Sequence, residues 1–280
     1  RGGVVLGGLR AREAVGVMTT VQVQPLGPVR AAALLVQRNY IVYRRNWKLF
    51  ITGFFEPFFY LLSIGIGVGQ LIDSFEFNGR QVPYAEFVAP GMLAASALNG
   101  ALIDATFNTY FKLRFVKLYD QILATPLTTR DVARGEIAWS QLRGSAYAAA
   151  FLVIMTAMGL VHSWWAVLAF PATVLIGFAS SAVCMAATTY MKSWQDFDKI
   201  TLVQLPLFLF SGTFFPISAF PTPVQWLVEC TPLYRGVVLC RELTTGALSW
   251  ASVVSVIYLL LMGLAGLLVV RRRLDQLLLT

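Results

Sequence analysis

An ionisable side chain inside a long apolar run is costly unless it has a partner or a wet cavity. The sequence holds three: Glu56 in GFFEPFFY, Asp104 in ALIDATF and Arg143 in SQLRGSAYAAAF. Glu56 reads either as a group on a substrate or coupling path, or as a structural partner for a helix end or for Arg143. Asp104 admits the same two readings. Asn99 precedes Asp104 by five residues, which turns it about 140° around a helix, so the two need not line one surface. Nucleotide chemistry has no seat, because the phosphate-binding pattern G-x-x-x-x-G-K-[ST] is absent. Hydrolysis lacks a G-x-S-x-G elbow, and a lone His162 with Cys184, Cys230 and Cys240, none in a CxxC pair, makes no conventional zinc set. The expectation is no catalytic residue, no metal and no cofactor in this chain. Cys230 and Cys240 share one segment and could join if oxidised; otherwise they act as small hydrophobes.

The elements that must position these residues follow from solvent. Hydrophobic residues make up 57% of the chain and charged ones 13%, half the charged share of a soluble domain, so much of its surface faces lipid. A crossing needs about 20 mostly apolar residues. Candidates lie at 49–72, 87–111, 137–160, 166–191, 200–215 and 250–270, the fifth being short and containing Pro206.

Lys and Arg number eight before the first candidate, five in 112–134, two in 192–199 and three in 271–273, while the alternate segments hold few. By the positive-inside rule both termini are cytoplasmic, as an even number of spans requires. The net charge of +8 therefore belongs to membrane topology rather than to nucleic acid. Met18 reads as the native start, leaving 1–17 as an upstream extension within a disordered stretch at 1–27. Residues 28–48 mix Arg30, Arg38, Arg44, Arg45 and Lys48 with Leu34, Leu35, Ile41, Val42 and Trp47. They read as an interfacial helix or a plain basic anchor, ahead of a membrane-spanning domain at 49–280.

In the cytoplasmic segment 112–136, Thr128 and Asp131 have the spacing of a helix-capping pair after a Thr125-Pro126 break. Leu118, Ile122 and Leu123 repeat at helical spacing, and a partner protein at the inner face is expected to bury them. Residues 216–249 hold two short apolar stretches parted by Thr231 and Pro232, which reads as a helical hairpin dipping into the outer leaflet.

Along the chain, Asn46-Trp47, Glu56-Pro57, GIGVG (65–69), YAEFVAPG (84–91), KLYDQILATPL (117–127), RGEIAW (134–139), LPLFLFSGTFFP (205–216), TPLYRGV (231–237) and Arg241-Glu242 occur in order. In these the sequence resembles the type-2 permeases of ATP-binding-cassette exporters, notably the nodulation lipo-oligosaccharide and daunorubicin-type exporters. The resemblance implies an all-α, six-span permease of a bacterial plasma membrane. It would pair with a second permease copy or homologue over cytoplasmic ATPase subunits that carry ATP and Mg. It maps a coupling helix onto Lys117, Leu118, Tyr119, Asp120, Ile122, Leu123, Thr125 and Pro126, and an external gate shaped by Pro216, Pro221 and Pro232. A translocation path would then draw on Glu56, Asn99, Asp104, Phe208 and Phe215. The cargo class it implies is amphipathic: a glycolipid, lipid-linked saccharide or hydrophobic drug. Phe54, Phe55, Phe58, Phe59, Phe208, Phe210, Phe214 and Phe215 would suit such cargo, though lipid-facing packing explains most of them. The rivals are a motor-free secondary transporter or channel, and a membrane enzyme acting on lipid.

Overall fold

The computed structural model describes residues 27–45, 55, 58–69, 74–77 and 80–279; Glu56 and the Asn46-Trp47 pair lie outside them. Helices dominate: α1 (Pro28–Arg44), α2 (Tyr84–Ile103), α3 (Leu118–Leu123), α4 (Thr129–Ala157), α5 (Ala169–Tyr190), α6 (Asp196–Leu209), α7 (Thr222–Glu229), α8 (Pro232–Thr245) and α9 (Trp250–Leu278). α2 continues through two π-helical turns, Asp104–Asn108 and Phe111–Phe115. One departure from the all-helical expectation is an antiparallel hairpin, β1 (Ser74–Phe77) with β2 (Arg80–Pro83), in register from Ser74↔Pro83 to Phe77↔Arg80. Its signal is in the sequence, because the two residues between the strands are Asn and Gly, a strong hairpin dipeptide.

Three helical stretches among the described residues are long and apolar enough to cross a membrane: Tyr84–Phe115, Trp164–Tyr190 and Trp250–Leu278. Their burial runs opposite to their hydropathy. The first is 78% buried at a mean hydropathy of 1.3, the last 28% buried at 2.7. Apolar side chains such as Ile257, Leu261, Leu264 and Leu268 thus face outward on α9. In water so large an apolar face would drive aggregation; against lipid it is the ordinary surface.

With no hydrophobic drive between helices in lipid, close packing of small residues must hold the bundle. α2 supplies Ala89, Ala94, Ala95, Ala97, Gly100 and Ala101 at the centre, against α4, α5 and α8. A Cβ at Gly100 would come 2.9 Å from Gly144 Cα, and one at Gly144 would come 2.7 Å from the Ala97 carbonyl, so backbone touches backbone where α2 crosses α4. α9 meets α5 in the same way, since a Cβ at Gly266 would lie 2.8 Å from the Ala182 carbonyl carbon.

α4 begins with the capping box expected from its spacing. Thr128 Oγ1 accepts from the Asp131 N–H, and Asp131 Oδ2 accepts from the Thr128 N–H at 3.0 Å. The burial of α3 corrects an expectation. Leu118 (9% exposed), Tyr119 (0%) and Ile122 (8%) are buried by this chain itself, in a cluster with Leu35 of α1, Val132 and Ile137 of α4, Met185 of α5, and Val270 and Leu274 of α9. Helical periodicity reports an apolar face but not its cover, and here the cover comes from helices remote in sequence. Lys117 opens α3 with φ of 48°, a left-handed conformation uncommon for a residue with a Cβ, and marks a sharp break from α2.

Gly144→Ala should lower thermal stability by about 1–3 kcal/mol through forced separation of α2 and α4. Gly177→Ala, where the nearest atoms would be 3.9 Å away, should be neutral or stabilising. Unfolding of the purified chain in detergent, followed by thermal shift, measures both.

Candidate functional site

Three helices meet along a polar seam. On α4, Glu136, Trp139 and Arg143 share one face; on the continuation of α2, Asp104, Asn108 and Lys112 follow at intervals of four; α1 contributes Asn39 and Tyr43, also four apart. In the inner part, Arg143 Nη1 lies 3.0 Å from Asp104 Oδ1, with side chains 7% and 2% exposed. Tyr43 Oη donates to the same oxygen at 3.0 Å, and Asn108 Nδ2 donates to both Asp104 and Tyr43. Arg143 Nε donates to Tyr147 Oη at 2.9 Å, and its guanidinium stands 5.4 Å from the centre of the Tyr43 ring. A buried ion pair persists only when its remaining valences are met in this way.

Nearer to α3, Lys112 Nζ pairs with Glu136 Oε2 at 2.6 Å, and Asn39 Nδ2 donates to that oxygen at 3.3 Å. Arg38 Nη1 and Lys112 Nζ both donate to Asn39 Oδ1, at 3.1 and 3.2 Å. Asp104 Oδ2, Glu136 Oε1 and Trp139 Nε1 are buried without a hydrogen-bond partner among the described residues. The seam starts at a π-helical turn, whose displaced backbone is partly taken up by side chains: Thr109 Oγ1 donates to the Asp104 carbonyl at 3.2 Å and Thr188 Oγ1 to that of Ala105 at 3.1 Å. This arrangement offers no nucleophile beside a base. Its chemistry is mechanical, fastening α1 to α2 and α4 through charge and hydrogen bonds.

Toward the opposite end, Arg241 of α8 donates from Nη2 to the Phe87 and Gly212 carbonyls at 3.1 and 2.8 Å, and its guanidinium stacks 3.9 Å from the Phe87 ring centre. It thereby pins the turn after α6 to the start of α2. Its sequence neighbour Glu242 works elsewhere, accepting from the Ser249 N–H at 3.2 Å and from Ser252 Oγ, so it closes the link from α8 to α9.

Of the residues singled out from sequence, Asp104 joins the seam, whereas Asn99 faces α6 and accepts from Gln204 Nε2 at 3.0 Å. Phe208 is half-buried, edge-on to Phe214 at 5.3 Å, and Phe215 is 49% exposed. Pro216 precedes the short turn Ile217–Ala219, Pro221 precedes α7, and Pro232 opens α8 behind Thr231. Lys117, Asp120, Thr125 and Pro126 are exposed and Leu123 half-buried. Cys184, Cys230 and Cys240 are free thiols. Tyr43, Asn108, Lys112, Glu136 and Gln204 escaped sequence reasoning. For four of them the signal was polar residues at three- and four-residue spacing on helices whose apolar content drew the attention.

Arg143→Leu should strand Asp104 and cost about 3–5 kcal/mol, while Asp104→Leu with Arg143→Leu should recover most of that loss. A thermal-unfolding double-mutant cycle checks the coupling; additive effects would remove the ion pair from its central place.

A family model described as ABC-2 type transporter matches residues 30–244. Among known proteins the chain is similar to Nodulation protein J of Rhizobium meliloti (strain 1021), 27% identical over 214 residues covering 75% of this chain and 80% of the relative. It is 30% identical over 208 residues to Nodulation protein J of Sinorhizobium fredii, covering 73% and 78%. Against the protein of that name from Bradyrhizobium diazoefficiens it is 27% identical over 245 residues, covering 85% and 92%. The matched stretch takes in the seam, α3 and the α6–α8 region together, and the chain belongs to the ABC-2 type transporter family of membrane transport subunits.

Proposed function

We propose that the chain is the membrane-spanning permease of an exporter whose ATPase is a separate cytoplasmic polypeptide binding ATP and Mg, and that it works beside a second permease copy or homologue. One observation carries this reading. α3 has its inner face locked into the bundle while Asp120, Gln121, Ala124, Thr125 and Pro126 remain exposed, so a push on the outer face must be transmitted rather than absorbed. Through the shared cluster that push reaches α1, α4 and α9, and through the seam it reaches the middle of α2.

In this reading the chain crosses the membrane six times, at 49–72, 87–111, 137–160, 166–191, 200–215 and 250–270, with both termini cytoplasmic. The charge distribution of the sequence supports that topology. α7 and α8 form the re-entrant pair at the external mouth, with Pro216, Pro221 and Pro232 shaping it; the buried Arg241, held by backbone carbonyls, is what a polar group at that depth requires. The cargo is amphipathic. It leaves because closure of the ATPase pair changes the helix spacing and thus the affinity for cargo in the two states. The Nodulation protein J relatives support the transport class, and Glu56, Asn99, Asp104, Phe208 and Phe215 are the first positions to test along the path.

Asp120→Lys with Gln121→Lys should leave thermal stability unchanged, weaken co-purification of the nucleotide-binding subunit and abolish ATP-driven transport in vesicles. Leu118→Glu should instead reduce the yield of folded chain. Full ATPase association and transport in the surface variant would overturn the coupling role of α3, and transport by the purified chain without any ATPase would overturn the motor.

A further inference from the structure

α6 is the loosest helix of the bundle. Of its 14 residues only Phe197 is buried, and Leu202, Leu205 and Leu209 are at least half exposed. Behind it lies a crevice of about 280 Å³ between α2, α5, α6 and the start of α8. It runs along α6 from Lys199 to Phe208, a length of about 14 Å at helical rise. Val183, Ala187 and Val203 line it and are also exposed, so it opens sideways toward lipid.

The walls are mostly apolar. Of the polar groups on them, Asn99 Oδ1 accepts from Gln204 Nε2 at 3.0 Å, and Ser180 Oγ donates to the Ile176 carbonyl at 2.7 Å. Apolar cavities of this kind stay dry and take apolar guests. The volume falls just under the range of about 300–1,000 Å³ typical of whole drug-sized ligands, and its length favours a chain over a ring system.

At the cytoplasmic mouth stands Lys199, its side chain 79% exposed and its ammonium 2.6 Å from Asp196 Oδ1. Asp196 also accepts from the Lys192 and Ser193 N–H groups at 2.8 and 3.0 Å, and the Lys199 hydrogen bond, followed by these two, holds its carboxyl well below the usual carboxylate range. An ammonium has three donors, so one spent on Asp196 leaves two for an anionic oxygen. Close by in sequence, Tyr190 and Trp194 are each about half exposed, as amphipathic aromatics are at the headgroup level.

We propose that this crevice is a resident-lipid site, taking one acyl chain of a membrane glycerophospholipid whose phosphate is held at Lys199. It rests on the chain's membrane embedding, and because Asn99 and Phe208 line the crevice it takes those two positions out of the cargo path.

The test uses full-length protein in nanodiscs of phosphatidylethanolamine and phosphatidylglycerol doped with a phospholipid bearing a diazirine along one acyl chain; after irradiation, peptide mass spectrometry locates the label. The expected result is labelling concentrated on Leu102, Val183 and Val203, reduced several-fold by Ala187→Trp, which fills the crevice, and by Lys199→Glu, which repels the phosphate. Ala187→Phe serves if the tryptophan variant fails to fold, and size exclusion verifies each. Label spread over Leu202 and Leu205 and insensitive to these variants would mean annular lipid only and overturn the site. So would crevice label displaced by an added lipid-linked saccharide but not by excess phospholipid, which would assign the crevice to cargo. Protection of a cysteine at Val203 only after cross-linking two copies would overturn it in favour of a permease contact.

Discussion

The contact on which the bundle turns is the ion pair between Asp104 and Arg143. Two charges inside an apolar bundle are tolerated only if they find each other and gain further hydrogen bonds, and here Tyr43 and Asn108 supply them at Asp104 Oδ1 and Tyr147 at Arg143 Nε, while Asp104 Oδ2 has no partner among the described residues. That requirement sets the register of α2 on α4. It also draws α1 against both, because Tyr43 must reach Asp104 while Asn39 reaches Glu136. The glycine crossing at Gly100 and Gly144 is its geometric counterpart, since the arginine can span the gap only where the backbones nearly touch.

Lipid as solvent explains the remaining architecture. The innermost helix is the least apolar of the three clear crossings and the outermost is the most apolar, the reverse of a soluble domain. Helix association then depends on small residues and on hydrogen bonds. Arg241 shows the same rule at the other end, where its guanidinium serves the Gly212 carbonyl of an irregular turn that lipid could not satisfy, together with the Phe87 carbonyl of α2.

The cluster around α3 ties that short helix to the rest of the bundle. α3 is short, yet its inner residues pack among four longer helices, one of them the far end of α9. A helix of six residues has little stability alone. Its conformation is therefore a property of the bundle, and displacement of α3 implies displacement of its neighbours. Between that cluster and the apolar core lies the polar seam, whose charges resist separation far more than dispersion contacts do.

Much was legible from sequence because lipid imposes coarse rules. Apolar runs long enough to cross and the Thr128–Asp131 cap are local features, and each carries its physical meaning without a fold. The masking of Leu118 and Ile122 was not legible, because a periodic face says only that something must cover it, and the cover came from Leu35 and Leu274. The pairing of Asp104 with Arg143, 39 residues apart, and of Lys112 with Glu136 depended on how α2 and α4 cross, which is set by close packing rather than by any pattern along the chain. The sequence alone determined that this protein lives in a membrane. Only the tertiary structure decided which polar groups meet and which faces remain free, because those depend on contacts between helices far apart in the chain.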